Sequence, residues 1–134
     1  MGTTTVSAEW TGDALHFEGT DTHGNKVPMG GDNPSPSQLM LLGLAGCTGM
    51  DVVSILQKKR AVVTGLEVRV KGTQPDDYPK PYNPIELEFI VRGQNINPKD
   101  VARAIELSEA KYCIVGQTLQ TPVEIKTSFS IEGG

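Results

Sequence analysis

With 134 residues, a formal net charge of −4 and 5% aromatic residues, the chain is expected to form one domain, 1–134, with a modest core. Its acidic balance and scattered basic residues argue against nucleic acid as a partner. We expect a cytoplasmic protein with no membrane segment, because the N-terminus lacks a signal-peptide pattern and the longest apolar run, 39–47, is too short to span a bilayer.

The first part of the chain is predicted to form short strands and turns. Residues 6–10 and 14–18 alternate apolar and polar side chains on either side of a turn, which predicts a β-hairpin. A further short strand is expected at 26–28, and the glycine- and proline-rich segment 30–36 is typical of a loop.

A long helix is predicted from Pro36 to about Lys59. Ser35 is suited to the N-cap, Pro36 to the first helical position, and Gln38 completes a capping-box pattern. Because the first half of this helix is apolar on all sides, we expect it to be buried on all sides. Glycines are poor helix residues, so three of them within seven residues indicate a close approach to another backbone or to a site, at Gly43, Gly46 and Gly49.

The second half of the chain predicts two strands, a helix and a last strand. Strands are expected at 62–71 and 85–91, separated by a proline-rich loop. Asn97 caps the second helix, which Gly116 is expected to end or bend, and a strand follows at 122–131.

This order of elements is typical of an α+β fold with an antiparallel sheet. A helix that is apolar all round needs cover on more than one face. One small sheet and one further helix hardly supply that cover, and a second copy of the chain would. The pattern therefore predicts a homodimer.

The two cysteines, Cys47 and Cys113, lie on different predicted helices, a pattern expected of a redox dithiol rather than a zinc site. Cys47 lies in mid-helix, so its thiolate would need a cation brought close by tertiary or quaternary contact. Cys113 lies near the end of its helix, where the dipole opposes a thiolate, so it is the better resolving partner. The alternative is that both are buried as small apolar residues.

Other polar residues carry less information. Asp51, one turn after Cys47, either lies close to the thiol or, as we expect, faces solvent. His16 and His23 lack metal-ligand spacing with other ligating residues. The glycine-rich segment 43–49 lies inside a helix and lacks the residues of a phosphate loop. We therefore expect no metal and no other cofactor.

Three segments around the cysteines carry recognisable patterns. Residues 35–39 read Ser-Pro-Ser-Gln-Leu, and residues 45–53 read Ala-Gly-Cys-Thr-Gly-Met-Asp-Val-Val. Residues 107–113 read Leu-Ser-Glu-Ala-Lys-Tyr-Cys. Together they resemble the OsmC/Ohr family of thiol-dependent peroxidases, over nearly the whole chain. Residues 51–58 are most similar to the YhfA-like branch of OsmC-related proteins.

The resemblance implies an OsmC-like fold, in which antiparallel sheets wrap around two long central helices in an intertwined homodimer. It assigns Cys47 as the cysteine that attacks a small peroxide and becomes a sulfenic acid. Cys113 would then form a disulfide with it, and a dithiol reductant, of lipoyl type in relatives, would restore both thiols.

The sequence departs from active members of the family at two places. They have an arginine in the N-terminal half, whereas this chain has no arginine before Arg60 and no lysine before Lys58 other than Lys26. They also have a glutamate nine or ten residues before the first cysteine, where this chain has Ser37 and Gln38, which we assign a supporting role. The missing guanidinium could come from elsewhere in the chain or from a partner chain, with three candidates: Arg69, Arg92 and Arg103.

Three functions follow from these patterns. The first is a thiol peroxidase that reduces organic or hydrogen peroxide through Cys47 and Cys113. The second is a redox-sensing or ligand-binding dimer with little or no catalysis, because the family's arginine and glutamate are missing. A third is a sulfur-transfer or thiol-modifying partner of other proteins.

Overall fold

The computed structural model describes residues 1–133, which form two compact units. The first unit comprises Met1–Gly43 and Val70–Glu86, and the second comprises Leu44–Arg69 and the chain from Leu87 onward. The single domain over 1–134 stays a prediction. In chain order the elements are β1 (Ser7–Trp10), β2 (Phe17–Thr20), β3 (Lys26–Met29), α1 (Pro36–Lys58), β4 (Val62–Gly72), β5 (Ile85–Gln94), α2 (Pro98–Leu107), a π-helical turn (Ser108–Tyr112) and α3 (Ile114–Gln120).

The α+β class with antiparallel sheets is confirmed. In the first unit, β1, β2 and β3 form an antiparallel sheet in that order. The hairpin is present, but its second strand starts at Phe17 because the loop before it is longer than predicted. The Trp10 indole N–H donates to the Ala14 carbonyl at 2.9 Å, and the Thr11 amide donates to the His16 carbonyl at 3.0 Å. The first bond and the left-handed φ of 46° at Ala14 belong to the loop, whereas the second bond continues the β1–β2 register by one residue pair.

Helix α1 begins and ends within a residue of its predicted bounds. The Ser35 hydroxyl accepts the Gln38 amide at 3.3 Å, which satisfies one of the free N–H groups of the first turn. After the last turn, Arg60 has a φ of 63°, the left-handed conformation that ends many helices.

Within one chain the apolar half of α1 is not covered on all sides, since the Leu42 side chain is 60% exposed, and its burial in the predicted homodimer stays a prediction. Gly49 is buried, and a Cβ there would lie 3.3 Å from the Val68 side chain of β4, so the strand approaches the helix closely. In contrast, a Cβ at Gly46 would meet open space, and the Met50 side chain is 74% exposed. At 23 residues, α1 is also long and apolar enough to cross a bilayer by length and composition, a property shared by core helices of soluble proteins.

The core of the second unit lies where α1 and α2 meet the two-stranded sheet. Val52, Leu56 and Ala104 are fully buried, and strand residues such as Leu66 and Phe89 pack against them. Strands β4 and β5 run antiparallel, since Val62 lies beside Gly93 and Arg69 lies beside Glu88. This core fixes the C-terminal two thirds of α1 against the segment that follows β5.

The second predicted helix is interrupted, which corrects the expectation for Cys113 and Gly116. Asn97 caps α2 as predicted, accepting the Lys99 amide at 2.9 Å. The helix then widens into the π-helical turn, breaks at Cys113, and restarts as α3. Cys113 therefore stands between two helical segments and is the N-cap of α3, while Gly116 lies inside α3 rather than at an end.

The last predicted strand, 122–131, does not form in this chain. The segment after α3 has the alternating sequence of a strand but forms no helix or strand. Its apolar side chains are exposed, with Phe129 at 88%. A strand needs a neighbour for its backbone hydrogen bonds. In the described residues no strand pairs with this segment.

Candidate functional site

The second unit brings the two cysteines together. Cys47 lies on α1 and is half-buried, whereas Cys113 is 2% exposed. Both are free thiols, and Cys47 lies close enough to Cys113 to raise the pKa of the buried thiol. The pair has one sulfur that solvent can reach and one that it cannot.

Backbone hydrogen bonds hold Cys113 in this position. Its amide donates to the Ser108 carbonyl at 2.9 Å, which closes the π-helical turn. Its sulfur accepts the Gly116 amide at 3.3 Å, which caps α3. A Cβ at Gly116 would lie 3.5 Å from the Cys113 sulfur and 3.7 Å from the Leu44 side chain, which is ordinary van der Waals contact, so the backbone of α3 packs directly beside the sulfur.

A short chain of polar side chains lies next to the dithiol. The Ser108 hydroxyl donates to the Asp51 carboxylate at 2.8 Å. Ser108 has a single hydroxyl proton, so the buried Thr48 hydroxyl, 2.9 Å away, donates to the Ser108 oxygen. The expectation that Asp51 faces solvent is therefore wrong, because it is partly buried and bound to the turn that leads to Cys113.

Thr48 and Ser108 are parts of the site that the sequence alone does not single out. The signal that was available is spacing: Thr48 and Asp51 follow Cys47 by one and four residues on the same helix. The partner Ser108 is 57 residues from Asp51, and only the fold brings them together.

The thiol of Cys113 is held in its protonated form by its surroundings. Burial raises the pKa of Cys113, and the hydrogen bond and charge of Cys47 and the nearby Asp51 carboxylate raise it further. The Gly116 amide lowers that pKa, but burial is the largest effect. Cys113 stands both at the C-terminal end of the π-helical turn and at the N-terminal end of α3, and burial, rather than the helix dipole expected from the sequence, is the largest cause of its raised pKa.

The arginines proposed as substitutes for the family's guanidinium are paired with glutamates on the surface. Arg69 and Arg92 bind Glu67 at 3.1 and 3.7 Å, and Arg103 binds Glu106 at 2.8 Å. In the first unit, the Lys26 ammonium lies 3.0 Å from the Thr20 hydroxyl. The charged group bound to the turn beside the dithiol is thus the carboxylate of Asp51.

Ser37 and Gln38 lie in the first turn of α1, in the first unit, with exposed side chains. The Gln38 backbone amide is bound by the Ser35 cap. Both cysteines belong to the second unit. Their supporting role stays a prediction.

Comparison with known proteins places these features in a family. Residues 29–128 match the family described as OsmC-like protein, which includes both cysteines and covers most of the chain. The chain belongs to the OsmC-like family. A curated relative, protein YhfA of Escherichia coli (strain K12), is 37% identical over 123 residues, covering 89% of this chain and 92% of YhfA.

Solved structures of OsmC-like and related proteins share this fold. A hypothetical protein from Aquifex aeolicus is 30% identical, with a TM-score of 0.81 over 90% of this chain and 89% of that one. The organic hydroperoxide resistance protein OhrB of Bacillus subtilis has a TM-score of 0.58 at 14% identity, over 93% and 96% of the two chains. At that identity, the similarity to OhrB concerns the fold.

Proposed function

We propose that this protein is a cytoplasmic thiol peroxidase that reduces organic or hydrogen peroxides with Cys47 and Cys113. The observation that supports this most directly is the adjacency of the two free thiols, one half-buried and one buried. Membership of the OsmC-like family and the similarity of fold to a hydroperoxide resistance protein are consistent with the same chemistry.

The exposure of the two sulfurs gives each a task in the reaction. The Cys47 thiolate attacks the distal peroxide oxygen, the O–O bond breaks, and the alkoxide leaves with a proton as an alcohol. Cys47 is then a sulfenic acid. The Cys113 sulfur attacks the Cys47 sulfur, the S–O bond breaks, and the hydroxyl leaves with the Cys113 proton as water.

The resulting disulfide must be reduced for a second turnover. A small dithiol of lipoyl type would attack one sulfur, form a mixed disulfide, and close on itself as it releases both protein thiols. Cys47 is the sulfur that such a reductant would attack, since Cys113 is buried.

The proposal is tested by measuring the consumption of cumene hydroperoxide in the presence of a dithiol reductant. We expect continuous peroxide consumption by the wild-type protein. We also expect the intact mass after mild oxidation to fall by two hydrogens per chain, because one disulfide forms between Cys47 and Cys113. A chain that keeps two free thiols in excess peroxide, measured by alkylation and mass, would exclude a dithiol cycle.

A second candidate function, a redox sensor or ligand-binding protein without efficient catalysis, is favoured by the charges around the site. A peroxidatic thiolate is usually stabilised by a cation, yet Arg69, Arg92 and Arg103 pair with glutamates. Disulfide formation at equimolar peroxide without turnover in the presence of dithiol would support the sensor. Multiple turnovers would support the enzyme.

We also propose that the protein acts as a homodimer. In the second unit the apolar Met50 side chain on α1 and the Phe129 side chain near the C-terminus are 74% and 88% exposed. Large exposed apolar surface of this kind is typical of an interface. In addition, apolar and polar residues alternate along 122–131 as they do in a strand, although this segment pairs with no other described strand. A second copy would supply both the cover and the partner strand.

Light scattering after size exclusion measures the assembly. We expect a mass of twice 14.4 kDa at micromolar concentration. Replacing Met50 with glutamate is expected to shift the protein towards the monomer, because the buried charge would be unpaired. Glu109→Lys, which changes an already charged and exposed residue, serves as the control and should leave the mass unchanged. A wild-type monomer at these concentrations would contradict the dimer.

A further inference from the structure

Two hydrogen bonds through Ser108 connect the carboxylate of Asp51 to the backbone of Cys113, and a third joins Thr48 to Ser108. The Thr48 hydroxyl and the Asp51 carboxylate, both on α1, bind the Ser108 hydroxyl from two sides at 2.9 and 2.8 Å. The Ser108 carbonyl accepts the Cys113 amide at 2.9 Å. The side chain and the backbone of Ser108 thus join α1 to the residue that carries the buried sulfur.

The proposed peroxidase reaction does not use this connection. Ser108 is fully buried, and buried polar groups in proteins nearly always have hydrogen-bond partners. Its hydroxyl donates to Asp51 and accepts from Thr48. A carboxylate beside a site that must form a thiolate is unfavourable for the attacking sulfur, which suggests that Asp51 serves the other cysteine.

We propose that Asp51, acting through the hydroxyl of Ser108, is the positioning residue of the disulfide-forming step. It fixes the π-helical turn that presents Cys113 to Cys47, and its negative charge adds to burial and to Cys47 in keeping Cys113 as a thiol. This assignment rests on the proposed function for the disulfide step. The effect of the charge on Cys113 can be measured without that function.

The charged and titratable groups that affect Cys113 come from one neighbouring element. Burial, Cys47 and Asp51 raise its pKa, and both residues lie on α1. On its own segment, the Gly116 amide opposes them. Glu109 and Lys111 of the π-helical turn have exposed side chains. Removal of the Asp51 charge should therefore ease loss of the Cys113 proton.

Alkylation of Cys113 tests the effect of the charge. In a Cys47→Ser background, Cys113 is the only thiol, and its reaction with iodoacetamide can be followed by intact mass from pH 6 to 10. Asp51→Asn keeps an amide oxygen that can accept from Ser108 and removes the charge. We expect the midpoint of the rate profile to move to lower pH, with alkylation roughly twofold or more faster below the midpoint.

The matched control is Glu109→Gln, which removes a carboxylate from the π-helical turn itself. Its side chain is exposed, and it is expected to leave the profile unchanged. If Asp51→Asn does not fold, as judged by circular dichroism, Asp51→Ser provides the same test, because it also removes the charge and keeps an oxygen that can accept from Ser108. An unchanged midpoint in the folded variant would overturn the proposal, since a merely structural role leaves the titration of Cys113 intact.

The positioning role is tested by single-turnover oxidation of proteins that retain both cysteines. After one equivalent of cumene hydroperoxide, Ser108→Ala should form the disulfide roughly 10-fold or more slowly than wild type, because Cys113 is no longer held at the correct distance. The intermediate sulfenic acid should then be trapped by dimedone. Disulfide formation at the wild-type rate would contradict the positioning role. If wild-type Cys47 forms no sulfenic acid, the proposed peroxidase function fails, and the alkylation profile still decides the effect of Asp51.

Discussion

Replacing Cys47 with serine is expected to reduce peroxide turnover by at least about 1,000-fold, because serine forms no comparable nucleophile at neutral pH. Cys47 is the half-buried sulfur of the pair, and Cys113 is buried and held as a thiol. The remaining Cys113 should therefore not take over the attack. The measurement is consumption of cumene hydroperoxide under a lipoyl-type dithiol, with the Cys47→Ser protein matched to wild type by circular dichroism.

Cys113→Ser is the matched control for this result. It retains Cys47, so the first equivalent of peroxide should be consumed at close to the wild-type rate, and the sulfenic acid should accumulate because no second sulfur is available. Loss of the fast first step in both variants would indicate a role for the intact pair in the attack itself. Full turnover in Cys47→Ser would exclude the proposed mechanism.

The second large effect is expected on stability, at Leu56. Leu56 lies on α1, and its side chain is fully buried in the core that α1 forms with α2 and with strands β4 and β5. Val52 and Ala104 are buried in the same core. Leu56→Ala should lower the free energy of unfolding by about 2–5 kcal/mol, because it removes apolar contacts and leaves a cavity in a packed core. Urea unfolding followed by circular dichroism measures this difference.

Leu15→Ala makes the same chemical change at a side chain that is 81% exposed. It is expected to change the free energy of unfolding by no more than about 0.5 kcal/mol. Both variants must be compared with wild type at one protein concentration, since association alters apparent stability. Equal effects at Leu15 and Leu56 would contradict the core described above.

Local sequence signals predicted the elements that depend on local interactions. Helix α1 starts at Pro36 because Ser35 binds the Gln38 amide, an interaction within one turn of chain. Asn97 begins α2 in the same way. The long strands β4 and β5 were anticipated from alternation of apolar and polar residues, since one face of each packs on the core.

Features that depend on distant contacts were not predicted. The π-helical turn is held by Ser108, whose hydroxyl partners lie on α1, so no pattern within 97–120 distinguishes it from a continuous helix. The strand at 122–131 has the right alternation, but pairing depends on a neighbour that this chain does not provide. The sequence pattern alone points to Cys47 and Cys113 and the family resemblance adds their roles, whereas the pattern places Asp51 in solvent because its partner is 57 residues away.

The π-helical turn also determines which kinds of sequence change the site can tolerate. Residues five apart in a regular α-helix point about 140° apart, but a turn closed over five residues returns Ser108 and Cys113 to the same side. The position of the Cys113 sulfur therefore depends more on the number of residues between Ser108 and Cys113 than on which residues these are. Substitutions at exposed positions such as Glu109 and Lys111 leave that spacing intact, whereas a single-residue insertion or deletion would rotate Cys113 away from its partner.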